Sequence, residues 1–215
     1  MEKRYCFVVG AGEQYDMPVL PDASAGDFCI AADGGYEVLR KRNIFMDLIV
    51  GDFDSLGYVP CGDNVKVYSP KKDDTDMAIA VDYGLENGYK DFVIYGGLGK
   101  RLDHTLGNID VLTNIAKRGH RGYLMGDKSV VTVIKDSITF NEAYEGVISV
   151  FVRGNIAKGV NISGFKYELN NGVMEFDKTR GVSNEFIGKV GNISVSDGYL
   201  LVIFDFSKDN VLPGF

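Results

Sequence analysis

The chain has 215 residues, 45% of them hydrophobic and 12% aromatic, with a formal net charge of −7. That is enough apolar material for one large domain or two modest ones, and it excludes a disordered chain. The acidic balance excludes a nucleic-acid-binding surface, which needs clustered Lys and Arg against phosphates, but admits a small anionic ligand held through a metal ion.

Three cysteines, Cys6, Cys29 and Cys61, have no CxxC spacing, and the first two lie in apolar runs where a free Cys acts as a small hydrophobe. The opening "MEKRYCFVVGAG" turns to glycine too soon for a secretory h-region. No run approaches the ~18 apolar residues of a membrane span. The expected location is cytoplasmic, with no membrane partner.

In chain order, "YCFVVGAG", "DFCIAADGG", "DLIVGDFDS" and "DFVIYGG" are short apolar runs ending in Gly or Asp. Between them "GYEVLRKRNI" and "TDMAIAVDYGLENGY" carry apolar residues at helical spacing, Met77, Ile79, Ala80, Tyr83 and Leu85 among them. A further helical stretch, "LDHTLGNIDVLTNIAKRG", leads to one more strand, "GYLMGD". Alternation of this kind predicts an α/β domain with a mostly parallel sheet covered on both faces. Its ligands belong outside the carboxyl ends of the strands, where Asp33, Asp52, Asp54 and the glycines after Tyr95 gather.

From residue 128 the helical periods stop. "SVVTVIKDSITF", "GVISVFV", "GVNISGFKYEL", "GVMEFDKT" and "GNISVSDGYLLVIFDF" are short alternating runs broken by Gly, Asn and Asp. They predict an all-β sandwich or barrel-like domain, with strands at the ~8–12-residue spacing of such folds. The expected division is 1–127, α/β, and 128–215, all-β.

Four segments carry chemistry: "AADGG" (31–35), "GDFDS" (51–55), "KKDDTD" (71–76) and "GGLGKRLDHTLGN" (96–108). Each alone has an ordinary structural use. Acids and glycines after a strand make turns, and Asp74 or Thr75 is placed to cap a helix whose dipole suits the neighbouring acids. Asp52 and Asp54 are different, since two carboxylates so close repel each other unless a positive charge intervenes. A hard cation such as Mg²⁺ takes carboxylate and phosphate oxygens, and Asp52, Asp54 and Asp76 could supply its acidic face. Lys72, Lys100 and Arg101 stand in or beside glycine-rich stretches whose backbone N–H groups suit a phosphate chain. With only His104 and His120, no histidine-based metal site is available.

Taken in order, "AADGG", "GDFDS", "KDDTD" and "GKRLDHTLGN", followed late in the chain by "TRGVSNEF" (179–186), resemble the thiamine pyrophosphokinase family. The resemblance implies pyrophosphoryl transfer from ATP to thiamine, giving thiamine diphosphate and AMP, in a homodimer. It matches Asp52, Asp54 and Asp76 to the acids that hold Mg²⁺. It places Asp33, Gly34, Lys72, Asp74, Thr75, Gly97, Lys100, Arg101, Asp103, His104 and Asn108 around ATP, with Asp33, Arg101 and Asp103 also at the reacting centre. Ser183 and Asn184 match the segment that meets thiamine. The family can set a Trp against the thiamine rings; this chain has none, and Phe186 is the aromatic at hand. Two other readings stay open: a phosphatase of the haloacid-dehalogenase type, with Asp52 as the phosphorylated residue, and a non-catalytic thiamine or nucleotide sensor.

Overall fold

The computed structural model describes residues 4–13, 15–99 and 101–214, so Lys100 lies outside the described residues. The chain divides into two compact units, Met1–Val111 with Gly122–Asp127, and Leu112–Arg121 with Lys128–Phe215. The α/β part and the β-rich part expected from the sequence are both present.

In the first unit β1 (Tyr5–Val9), β2 (Phe28–Ala32), β3 (Leu48–Gly51), β4 (Val65–Val67), β5 (Asp91–Tyr95) and β6 (Arg121–Met125) alternate with α1 (Gly35–Lys41), α2 (Asp76–Glu86) and α3 (Leu102–Lys117). The strand order is β4-β3-β2-β1-β5-β6, and the pairs β1–β2, β1–β5, β2–β3 and β3–β4 are parallel. All five residues of β1 are buried, as expected of a strand covered on both faces. Cys6 and Cys29 are part of that core.

Helix α2 starts where Thr75 accepts a hydrogen bond from the amide of Ala78, an N-cap that satisfies one of the free donors of the first turn. Its buried face is Met77, Ala80, Val81 and Gly84, at the i, i+3, i+4, i+7 spacing of one helical stripe. The bulkier Ile79, Tyr83 and Leu85 are only partly covered. Gly84 is needed at the sheet: a Cβ there would stand 2.7 Å from the Phe92 ring and 2.8 Å from Cys6 Sγ. No helix among the described residues is long and apolar enough to cross a membrane.

The second unit comprises β7 (Ser129–Ile134), β8 (Ser137–Phe140), β9 (Val147–Ser163), β10 (Leu169–Glu175), β11 (Asn184–Glu185), β12 (Gly191–Ser194) and β13 (Asp197–Asp205), together with the end of α3. Arg153 ties that helix end to the strands through a hydrogen bond to Thr113 Oγ1 at 3.1 Å. The ladders are antiparallel in the order β7-β13-β9-β12-β8, with β10 and β11 also on β9. Strand β9 runs for 17 residues and changes partners along its length. Sequence reading broke it in two at its glycines. Gly154 and Gly159 instead bend one strand, at φ 109° and 61°. Phe140, Tyr144, Phe165, Phe186 and Phe204 interlock in the core, mostly edge to face, with centroids between 4.9 and 6.1 Å.

Candidate active site

The chain leaves β1 toward β2 on one side and later returns through β5 on the other. Strands β1 and β5 are therefore neighbours whose following loops diverge, which is where open parallel sheets bind ligands. The loop after β1 is stitched to the loop after β5: the Gly10 amide donates to Tyr95 O at 2.9 Å and the Gly12 amide to Gly96 O at 3.0 Å. A Cβ on Gly12 would stand 2.2 Å from Gly96 O, so only glycine permits this approach.

A cavity of about 720 Å³ opens between these loops. Of the residues singled out in the sequence, Asp33, Thr75, Asp76, Gly97, Arg101, Asp103, His104 and Asn108 line it. Gly10–Glu13, Met77 and Leu98 line it too, although sequence reading left them out of the site. The signal for the first loop was present, a buried strand running into Gly-Ala-Gly. Asn108 is buried at 6% exposure and donates its side-chain amide to Gly97 O at 2.8 Å, which fixes the glycine loop.

Behind the cavity the acids converge. Asp33 and Phe53 both have left-handed backbone, at φ 50° and 59°, conformations that non-glycine residues adopt at a cost and that gather at functional sites. Phe53 offsets its cost by burying its ring to 2% exposure, a contribution of about 2–3 kcal/mol. The turn it anchors carries Asp52 and Asp54, and the Asp54 amide donates to Asp52 Oδ1 at 3.3 Å. Carboxylate oxygens of Asp33, Asp52 and Asp54 lie within 4.8 Å of one another. Asp33 Oδ1 is buried and takes no hydrogen bond among the described residues. Three carboxylates with an orphaned oxygen are a donor set that fits a hard divalent cation.

Asp76 is not in that group. Lys72 Nζ lies 2.7 Å from Asp76 Oδ1 and 3.1 Å from Asp52 Oδ2, with all three side chains less than one-fifth exposed. Burial works against the ammonium, but its bonds to Asp76 and Asp52 outweigh it and raise its pKa above the ordinary lysine value. The two acids respond in opposite directions. The hydrogen bond from Lys72 holds Asp52 below the usual carboxylate range. Burial raises Asp76, with Asp52 and Asp33 adding repulsion. Desolvation outweighs the Lys72 bond at Asp76, whereas at Asp52 the bond outweighs desolvation, which is the split.

At the cavity mouth Arg101 grips Asp103 with two hydrogen bonds, 3.1 and 2.5 Å, in an exposed pair. That grip lowers the pKa of Asp103 and raises that of Arg101. His104 is exposed beside them, and Asp74 is an exposed residue just before the Thr75 cap. Gly34 directly precedes α1, and a Cβ there would meet Ala11 Cβ at 2.8 Å.

Two family models match the chain: thiamin pyrophosphokinase, catalytic domain, over residues 22–124, and thiamin pyrophosphokinase, vitamin B1 binding domain, over residues 135–200. The chain is 30% identical over 182 residues to the thiamine pyrophosphokinase of Bacillus subtilis, covering 81% of this chain and 85% of the relative. This chain belongs to the thiamine pyrophosphokinase family.

Solved structures of the thiamine pyrophosphokinase family agree. The Bacillus subtilis enzyme superposes with a TM-score of 0.77 at 26% identity, over 94% of this chain and 99% of that one. Yeast thiamin pyrophosphokinase shares the fold at a TM-score of 0.72 and 14% identity, over 95% of this chain and 87% of that one. Neither the phosphatase nor the sensor reading gains support from these likenesses.

Ser183, Asn184 and Phe186 fall in the region matched to the family's vitamin B1 binding domain. Ser183 is exposed at φ 58°, and its amide donates to Ser149 Oγ at 3.0 Å. Asn184 is buried, its side chain clamping Tyr167 by accepting from N at 2.9 Å and donating to O at 2.7 Å. Phe186 packs against Phe140, Tyr144 and Phe165 in the core cluster. In this unit, then, Ser183 presents itself to solvent while the other two support the segment.

Proposed function

We propose that this chain transfers a pyrophosphoryl group from ATP to the hydroxyl of thiamine, giving thiamine diphosphate and AMP, and that it needs Mg²⁺. The observation that carries this reading is a cavity lined by the glycine loops after β1 and β5 and by Asp33, which joins it to the acid cluster after β2 and β3, in a chain whose sequence matches both parts of the family. Asp33, Asp52 and Asp54 would hold the cation, with Asp76 beside them and tied to Lys72. A divalent cation held by these carboxylates would supply charge neutralisation for the triphosphate during displacement at the β-phosphorus.

The chain's own groups do the rest. Gly12, Gly96 and Gly97 line the cavity. A Cβ on Gly12 would strike Gly96 O and one on Gly97 would strike Leu124 and Asn108, so glycine lets these loops pack closely where their backbone faces the nucleotide. Lys72 and Arg101 offer positive charge to oxygens that gain negative charge in transfer, and Lys100 is a third candidate by sequence. The thiamine hydroxyl proton has two candidate acceptors, Asp33 and Asp103. Arg101 depresses the pKa of Asp103 and makes it a weak base, and Asp33 is a weak base once it holds the cation. A loose transition state asks little of either.

Ser183 supplies the exposed polar contact to thiamine in this reading. The active form is a cytoplasmic homodimer, and exposed Val173 and Phe176 at the end of β10 give the β-rich unit apolar surface for association. Incubating the purified protein with thiamine, ATP and Mg²⁺ and separating the products by chromatography tests the reading. AMP and thiamine diphosphate in equal amounts are expected. ADP with thiamine monophosphate, or no product, would refute it.

A further inference from the structure

Ser55 closes the turn that carries Asp52 and Asp54, and no step of the proposed reaction uses it. Its hydroxyl donates to Asp33 Oδ2 at 2.7 Å, joining segments 22 residues apart. The backbones of those segments are already close. The Asp33 amide donates to Val50 O at 2.7 Å, and a Cβ on Gly51 would stand 3.0 Å from Asp33 Cα.

Backbone contacts of this kind fix where the Asp33 carboxyl carbon sits. They do not fix rotation of the carboxylate, because the terminal torsion of Asp is broad and nearly two-fold. A single donor on one oxygen does fix it. With Oδ2 held by Ser55, the other oxygen is the buried Oδ1 that takes no hydrogen bond among the described residues. Because the donor is neutral, Asp33 keeps its whole negative charge for a cation. An ammonium in the same place would cancel it, as Lys72 does for Asp76.

We propose that Ser55 is a positioning residue, which turns Asp33 so that Oδ1 completes an oxygen site with Asp52 and Asp54. The inference rests on the metal reading given above. Partners that orient metal ligands from outside typically change affinity by 10–100-fold when removed.

The test counts bound Mn²⁺ by electron paramagnetic resonance, with α,β-methylene-ATP present, in wild type, Ser55→Ala, Ser55→Thr and Asp54→Asn. Ser55→Ala is expected to weaken Mn²⁺ binding about tenfold or more, and Ser55→Thr, which keeps the hydroxyl, to stay near wild type. Metal-free melting temperatures should match wild type in both. Equal Mn²⁺ affinity in Ser55→Ala overturns the proposal, and so does an equal loss in Ser55→Thr. A sharp fall in the metal-free melting temperature of Ser55→Ala would make the hydroxyl a brace for the turn and overturn it too. If wild type binds no Mn²⁺, or binds it no better than Asp54→Asn, the metal reading itself fails, a result separable from failure of the Ser55 assignment alone.

Discussion

Lys72 and Asp76, one helical turn apart in sequence, form the shorter arm of a bridge whose other arm reaches Asp52, at 2.7 and 3.1 Å. One ammonium thus relieves the crowding of acids beside the "GDFDS" turn. A positive charge is built into the site, in the place where the sequence alone invited a third metal ligand.

Removing that charge as Lys72→Met should expose the repulsion. We expect a loss of about 1–3 kcal/mol in the metal-free protein, from two partly buried carboxylates left without their donor. Mg²⁺ should restore part of it, since a divalent cation supplies the missing charge. Urea denaturation with and without Mg²⁺ checks this, and an identical loss in both conditions would contradict it.

Asp54→Asn should separate chemistry from stability. Turnover is expected to fall roughly 10²-fold or more, the scale of losing charge stabilisation at a transferring phosphoryl group. Metal-free stability should stay level or rise slightly, because a like charge has left the group of Asp33 and Asp52. Mg²⁺ with nucleotide should then raise the melting temperature of wild type more than that of the variant. Normal product formation would sink the metal reading.

In the β-rich unit Ser183 and Asn184 should behave unlike each other. Ser183→Ala is expected to raise the thiamine KM with the fold and ATP affinity unchanged. Asn184→Ala removes the clamp on Tyr167 and leaves partly buried backbone groups without that partner, so it should cost about 1 kcal/mol of stability. Thermal melting beside thiamine titration distinguishes the two. Equal melting temperatures would show that the clamp contributes nothing.

Glu37 gives a pH signature. Arg40 and then Tyr58 hold its carboxyl down from 4.5 to about 2. A depressed acid contributes stability that is complete above 4.5 and lost as pH falls toward 2. Tyr58→Phe removes one of the two donors, so the Glu37 titration should move upward, and less stability should depend on that pH window. Carboxyl-resolved NMR titration checks it; an unmoved midpoint would mean that the 2.5 Å Tyr58–Glu37 contact carries no weight in solution.

Assembly is checked by size. Light scattering at micromolar concentration should give about twice the 23.6 kDa chain mass, as a two-fold dimer requires. A fully active monomer would remove the need for a shared site.

Much of the site was legible because its residues come in short runs behind buried strands, where period and position speak together. "IVGDFDS" was readable as a strand end with two unexplained acids. Lys72 as their partner was not, because its contact with Asp52 spans 20 residues and depends on how the intervening loop folds. Ser55 was hidden for the same reason, its partner Asp33 lying in the turn after another strand, β2. The edge strand β4, Val65–Val67, escaped notice because three residues cannot display a period. In the β-rich unit Asn184 looked like a binding residue from its neighbours in sequence. Its burial and its clamp on Tyr167 add a structural duty that the sequence did not display.

Phe53, at once left-handed in backbone and 2% exposed, has a consequence for the energetics of ligand capture. A turn pinned by a buried ring is ordered before any nucleotide arrives. Docking there is rigid, so little of the interaction energy is lost to freezing the loop. The heat-capacity change of binding should then reflect only the surfaces that meet, well short of the change that accompanies folding coupled to association.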